Sequence, residues 1–98
     1  MYRGTTPTFT FKLPMDGTTL TKLAVTFRQD GMDAIERELA DCVVTADSVT
    51  CTLTEAETLR LQAGRTLEIQ LRAGVGTARM ASQIFRIPVA RILKEGML

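Results

Sequence analysis

The chain has 98 residues, of which 45% are hydrophobic and 23% charged, and its formal net charge is +1. This composition excludes a disordered or collagen-like chain and is typical of one soluble globular domain, here residues 1–98. Histidine is absent, so the chain lacks the side chain that most often serves acid-base catalysis and metal binding near neutral pH. We therefore predict that the protein is not an enzyme and binds no cofactor or metal.

Two further classes are excluded by the distribution of apolar residues. No apolar run approaches the roughly 20 residues that cross a bilayer, so we expect no membrane contact. The opening MYRGTTPT lacks the basic start and the apolar middle of a secretion signal. We expect a protein that is not secreted by a signal peptide.

Alternation of apolar and polar residues predicts two strands at the start of the chain. The inward rows are Phe9, Phe11 and Leu13 in residues 5–13, and Leu23, Val25 and Phe27 in residues 19–28. Pro14-Met15-Asp16-Gly17 lies between these strands and predicts a turn in which glycine supplies an unusual backbone angle. Asp30-Gly31 then closes the second strand as a hairpin turn does.

The segment from Met32 to Leu39 is ambiguous. Ile35 and Leu39 lie four residues apart, as on one face of a helix, but Ile35, Arg37 and Leu39 also share one face of a strand. We assign a strand, because a hairpin signal precedes the segment and the chain on both sides is β.

Residues 42–51 predict a hairpin that carries both cysteines. With Ala46-Asp47 as a two-residue loop, Cys42 faces Cys51 and both lie on the same face as Val44 and Val49; a longer loop changes this register. A directly opposed disulfide is strained, and a chain without an export signal meets a reducing environment. We expect two buried thiols that act as small apolar side chains.

The stretch from Thr50 to Arg72 predicts a strand, a short helical turn, a glycine and a second strand. Thr54 followed three residues later by Glu57 is a capping box, in which the hydroxyl and the carboxylate each satisfy a backbone donor. It places the helical turn near residues 55–61, and Gly64 ends it in the left-handed conformation. As a structural cap, Thr54 and Glu57 need no further function.

The last part of the chain predicts two strands and a tail. Leu67, Ile69 and Leu71 mark the first strand, and residues 73–77 with two glycines are a turn. The second strand runs over residues 78–89, but its apolar residues change face, which indicates a bulge or a change of sheet near residues 82–84.

The tail, from about residue 90 to residue 98, carries four large apolar residues: Ile92, Leu93, Met97 and Leu98. Because a free chain end usually carries fewer, the tail either folds back onto the domain or reaches a neighbour, and these four residues are the candidate interface. In total the pattern predicts an all-β, immunoglobulin-like antiparallel β-sandwich of about seven strands with one short helical turn.

Charged residues form three further patterns. Arg65, Arg72, Arg79 and Arg86 recur every seven residues, but an odd spacing on strands places successive residues on opposite faces, so we expect chance and no nucleic-acid partner. The acidic residues of 30–41 lack the spacing and glycine of a calcium loop, and we expect a solvated face. Residues 1–59 hold five Lys or Arg against nine Asp or Glu, and residues 60–98 seven against two; if this asymmetry persists on the surface, it favours head-to-tail contact between copies.

The segments RGTTPTFTFKLP, LTEAETLRLQAGRTLEIQLR and MASQIFRIPVARILKEGML resemble short proteins encoded in the tail regions of phages and prophages of Gram-positive bacteria. More distantly, the layout resembles the immunoglobulin-like N-terminal domain of phage baseplate upper proteins. The resemblance implies a non-enzymatic structural or tail-assembly protein, located in the virion or the bacterial host cytoplasm. Its partners are then proteins, either further copies of itself in a homo-oligomer or other tail proteins. The alternative is a prophage-encoded intracellular binding module that occupies a host protein.

Overall fold

A computed structural model describes residues 1–98 and arranges the chain in two packed antiparallel sheets. In chain order the elements are β1 Thr8–Lys12, β2 Lys22–Arg28, β3 Ile35–Glu38, β4 Val43–Val44, β5 Ser48–Thr52, α1 Glu55–Leu59, β6 Thr66–Val75, β7 Ala78–Ala81 and β8 Phe85–Pro88. One sheet has the order β1-β5-β4, and the other has the order β3-β2-β6-β7, with β8 also paired to β6. The predicted immunoglobulin-like β-sandwich is confirmed, with eight strands where the sequence predicted about seven.

The core lies between the sheets and consists of the alternating residues that the sequence placed inward. Val25 and Phe27 of β2 and Val49 of β5 are all buried in one hydrophobic core. The ring of Phe9 packs against Phe27 with centroids 5.2 Å apart. The period-two pattern therefore predicts the core correctly, because each strand has one dry face and one wet face.

The ambiguous segment after β2 is a strand, as predicted, but a short one. β3 pairs with β2 so that Ile35 lies opposite Phe27, and the loop between them is longer than a two-residue turn. The next hairpin has the predicted register, with Val44 opposite Val49. The backbone amide of Thr45 donates to the carbonyl of Ser48 at 2.9 Å, which closes the two-residue loop.

Two glycine-containing turns differ from the sequence prediction. Gly17 does not have a positive φ; it begins a 3₁₀ turn, Gly17–Thr19, that Asp16 caps. A Cβ on Gly17 would lie 2.1 Å from the carbonyl oxygen of Thr45, so glycine is required there by close approach. The predicted turn at 73–77 is smaller, because β6 continues to Val75 and only Gly76 and Thr77 form the turn.

The predicted interruption of the last strand is present as a bulge. Arg72 pairs with Ala81 and Ile69 pairs with Phe85, so three steps along β6 correspond to four steps along its neighbour. The Ser82 hydroxyl accepts a hydrogen bond from the backbone amide of Leu71 at 3.0 Å. Both β7 and β8 remain on β6, and the alternative of a change of sheet is wrong.

Candidate functional site

The tail is held against the end of the molecule that carries α1. The amide of Ala90 donates to the carbonyl of Met1 at 2.7 Å, and the amide of Arg3 donates to the carbonyl of Ala90 at 3.1 Å. These bonds form a short parallel bridge in which Tyr2 lies opposite Ala90. The first and last segments of the chain therefore support each other.

Arg3 fixes the tail to the helix. Its Nε donates to the carbonyl of Leu61 at 2.6 Å, and its Nη2 donates to the carbonyl of Leu59 at 2.6 Å. Its Nη1 forms an ion pair with Glu95 of the tail. A cation that bonds to carbonyls at the end of a helix complements the partial negative charge there. The guanidinium thus joins the end of α1 to the tail.

The four candidate interface residues are divided by the structure. Ile92 is half-buried, and a Cβ placed on Gly4 would lie 3.2 Å from its Cδ1 atom, so it packs onto the domain. Leu93, Met97 and Leu98 are 93%, 63% and 114% exposed. We call these three the exposed tail residues. The amide of Leu98 also donates to Glu55 Oε2 of α1 at 2.7 Å, so a backbone tied at several points presents apolar side chains to solvent.

Thr54 and Glu57 form the capping box at the start of α1. The amide of Glu57 donates to Thr54 Oγ1 at 3.1 Å, and the amide of Thr54 donates to Glu57 Oε1 at 2.8 Å. The same carboxylate oxygen accepts from Nη2 of Arg37 on β3. The hydrogen bond from Arg37 lowers the pKa of Glu57 from 4.5 to about 2, and the carboxylate in turn raises the pKa of Arg37. These residues hold the helix in place.

Arg37 also reaches the other sheet. Its Nε and Nη2 donate to the carbonyl of Thr52, the last residue of β5, at 3.3 and 3.2 Å. The sequence placed Arg37 on the same strand face as Ile35 but did not identify its partners. The available signal was a charged residue at an inward position of an alternating strand, which calls for a buried or half-buried partner.

Cys42 and Cys51 are free thiols. Cys51 is 2% exposed, and Cys42 is half-buried. Burial raises the pKa of Cys51 to about 12 and also raises the pKa of Cys42. Because the thiolate is the reactive form, neither group is prepared for nucleophilic chemistry.

The acidic residues do not form a metal site. Glu36 and Glu38 are exposed on β3, and no group of three or more His, Cys, Asp or Glu side chains is placed to hold a metal ion.

The sequence predicted that arginines spaced by seven residues lie alternately on opposite faces of the sheet. This prediction is wrong for Arg72, Arg79 and Arg86, which share the outer face. Glu68 lies opposite Arg86, and its carboxylate is 3.3 Å from the guanidinium on the outer face of the sheet. Arg79 lies opposite Gly74, two residues along β6 from Arg72. The bulge adds one residue between Arg79 and Arg86, and it therefore restores both to the same outer face. The charge asymmetry persists there in part, with arginines on β6 to β8 and glutamates on β3.

An apolar cleft of about 590 Å³ opens between β1 and the β7–β8 edge. Its walls include Phe9 and Phe11 from one sheet and Met80, Phe85 and Ile87 from the other. The rings of Phe11 and Phe85 lie 5.9 Å apart across it. The sequence did not reveal this cleft, because alternation predicts which side chains point inward and not whether the facing sheet covers them.

α1 has only five residues, and no helix of the chain is long and apolar enough to cross a membrane.

Comparison of the chain with protein-family models, with curated proteins and with solved structures found no match.

Proposed function

We propose that this chain is a non-enzymatic structural or assembly protein of a phage or prophage tail. It acts through protein contacts with further copies of itself or with other tail proteins. The observation that carries the proposal is the anchored tail, in which Leu93, Met97 and Leu98 are exposed although the backbone around them is hydrogen-bonded and ion-paired.

The physical basis of the proposal is the pre-organisation of these side chains. Contiguous exposed apolar patches mark protein contact sites, and the exposed tail residues all fall within residues 93–98. Arg3 and Glu55 restrain the tail, so a partner that covers the exposed tail residues orders little additional chain on binding. A protein partner gains the apolar area without a large entropic cost.

The proposed biological setting rests on the resemblance of three segments to short proteins of phage and prophage tail regions. Those segments include β1, the capped helix with residues 66–72 of β6, and the whole tail. The protein then resides in the virion or, before assembly, in the cytoplasm of the bacterial host.

The test is a double substitution, Leu93→Ser with Leu98→Ser, in the full chain. The matched control is Val43→Ser, which removes another exposed apolar side chain, 67% exposed, on β4. Affinity capture from a lysate of phage-producing cells should recover tail proteins with the unaltered chain and with the control, and fewer with the double variant. Equal recovery with all three would contradict the role of the tail.

Mass spectrometry of purified phage particles tests the setting. Presence of the chain at a constant ratio to known tail proteins supports a structural role. Absence from particles, together with capture of one host protein through the exposed tail residues, would instead favour the intracellular binding module.

A further inference from the structure

The sandwich has four strand edges, and three of them carry features that prevent pairing with another chain. β4 has only two residues, and β3 has Glu36 and Glu38 on its outer face with Arg37 pointing inward. The β7–β8 edge is broken by the bulge, ends at Pro88, and is covered near Ala90 by the N-terminal segment. Short strands, inward charges, bulges and proline are the devices by which proteins block edge pairing.

β1 is the remaining edge, and it is regular over five residues with the sequence TFTFK. Its only protective charge is Lys12, at the last position. Thr8 and Thr10 pair with threonines of β5 through their hydroxyls, at 3.0 and 3.2 Å, on the face of the sheet that points to solvent. Nothing along β1 blocks the approach of another strand.

The backbone of β1 shows which groups are free. The amide of Leu13 donates to the carbonyl of Asp47, and the amide of Leu53 donates to the carbonyl of Pro7. In an antiparallel pair, hydrogen-bonded positions alternate, so positions 7, 9, 11 and 13 are the ones directed at β5. The amide and carbonyl groups of Thr8, Thr10 and Lys12 therefore point away from β5, toward the open edge.

The apolar cleft lies directly beside this edge. A strand added to β1 would place alternate side chains over the cleft and the others in solvent. The occupant must therefore have apolar residues at every second position. β1 itself has this pattern, since Phe9 and Phe11 point inward and are only half-buried.

We propose that β1 pairs with β1 of a second copy of this chain, antiparallel and about a two-fold axis at Thr10. In this register Thr10 faces Thr10 of the second copy, and Thr8 faces Lys12, so no two like charges are opposed. Each free amide of one edge meets a free carbonyl of the other. Phe9 and Phe11 of each copy then cover part of the cleft of the other, which makes the contact self-complementary.

This inference rests on the proposed function only in that the chain works through protein contacts, and it uses a surface separate from the exposed tail residues. The first test is the oligomeric state of the full chain over a range of concentrations by analytical ultracentrifugation. We expect a monomer–dimer equilibrium. A monomer at every concentration would overturn the proposal.

The second test is Thr10→Pro, which removes one amide at the free edge and the hydroxyl that pairs with Thr50, but no backbone hydrogen bond to β5. The matched control Thr10→Ala removes the same hydroxyl and keeps the amide. We expect Thr10→Pro to weaken dimerisation by about tenfold or more, with little change for Thr10→Ala. Circular dichroism and thermal unfolding report whether each variant is folded. A folded Thr10→Pro variant that dimerises as tightly as Thr10→Ala would refute the proposed edge.

A charge exchange makes the test independent of proline. Thr10→Lys and Thr10→Glu each place like charges opposite one another on the two-fold axis, and each alone should dimerise more weakly than the unaltered chain. An equimolar mixture of the two variants should form a heterodimer, because Lys then faces Glu. The same exchange at Thr77, in the turn after β6, is the control and should have no effect. Absence of heterodimer recovery would refute the register.

The proposed β1 contact and the proposed tail contact can be disproved independently of each other. If the Leu93→Ser and Leu98→Ser double variant abolishes the dimer while the Thr10 variants do not, the β1 contact is wrong and the tail contact is supported. If the Thr10 variants alone abolish the dimer, the β1 contact is supported. Capture of tail proteins, which depends on the exposed tail residues, then tests the proposed function by itself.

Discussion

Arg37 of β3 and Glu57 of α1 form an ion pair that connects the five-stranded sheet to the helix following the three-stranded sheet. The same guanidinium donates to the carbonyl of Thr52, and the same carboxylate caps the helix through the amide of Thr54. One pair of side chains thus joins both sheets and the connection between them. The adjacent tail depends on the same helix, because Arg3 and Glu55 hold it there.

Replacement of Glu57 by Gln should make the free energy of unfolding depend less on pH in the acidic range. The pKa of Glu57 is about 2 in the folded chain against an ordinary value of 4.5, so the unfolded state binds more protons between these values. The stabilisation is complete above the ordinary pKa and is lost as pH falls toward about 2. Urea unfolding near neutral pH should show Glu57→Gln to be about 1 kcal/mol less stable than the unaltered chain. On acidification, the free energy of unfolding should fall by less in Glu57→Gln than in the unaltered chain. Glu36→Gln is the control, and an unchanged acid dependence in Glu57→Gln would contradict the assignment.

Gly17→Ala should destabilise the fold by overpacking. The new Cβ would lie 2.1 Å from the carbonyl oxygen of Thr45, an atom of the backbone. We expect a loss of about 2–3 kcal/mol in the free energy of unfolding. Gly74→Ala is the comparison. Its Cβ would meet the flexible end of the Arg79 side chain and lie 3.3 Å from Lys22 Cβ, with no backbone atom among its nearest contacts, and it should cost about 1 kcal/mol or less. Equal losses for both variants would show that close approach is not the reason for Gly17.

Gln29 should be essential for the loop that precedes β6. It is 1% exposed; its Nε2 donates to the carbonyls of Gln62 and Arg65, and its Oε1 accepts from the amide of Gln62 at 2.8 Å. Gln29→Met keeps the approximate volume and leaves these backbone groups unpaired, which should cost about 2–3 kcal/mol. In hydrogen-exchange measurements, the Gln62 amide should exchange faster in Gln29→Met than in the control Gln83→Met, which changes an exposed glutamine.

The thiols should react slowly in the folded protein. Burial raises the pKa of Cys51 to about 12, so almost none is thiolate at neutral pH. Labelling with an excess of iodoacetamide, followed by mass spectrometry, should modify Cys51 at a rate limited by unfolding and accelerate in urea. Cys42→Ser isolates the response of Cys51. Rapid labelling of Cys51 in the native chain would contradict its burial.

The sequence by itself determined the features that depend on neighbouring residues. The two-residue period of β2, β5 and β6 decides which side chains are inward, the two-residue loop of the cysteine hairpin decides its register, and Thr54 with Glu57 decides where α1 begins. These features follow from backbone geometry over a few residues.

Only the tertiary structure decided the features that depend on segments far apart in the chain. The sequence suggests the bulge between β7 and β8. Whether the bulge places Arg79 and Arg86 on the same face depends on the register of both strands against β6. The partners of Arg37 lie 15 and 20 residues away, and the cleft exists because the β7–β8 edge leaves the inner face of β1 partly uncovered. Alternation states that a side chain points inward, whereas the packing of the two sheets decides what it meets there.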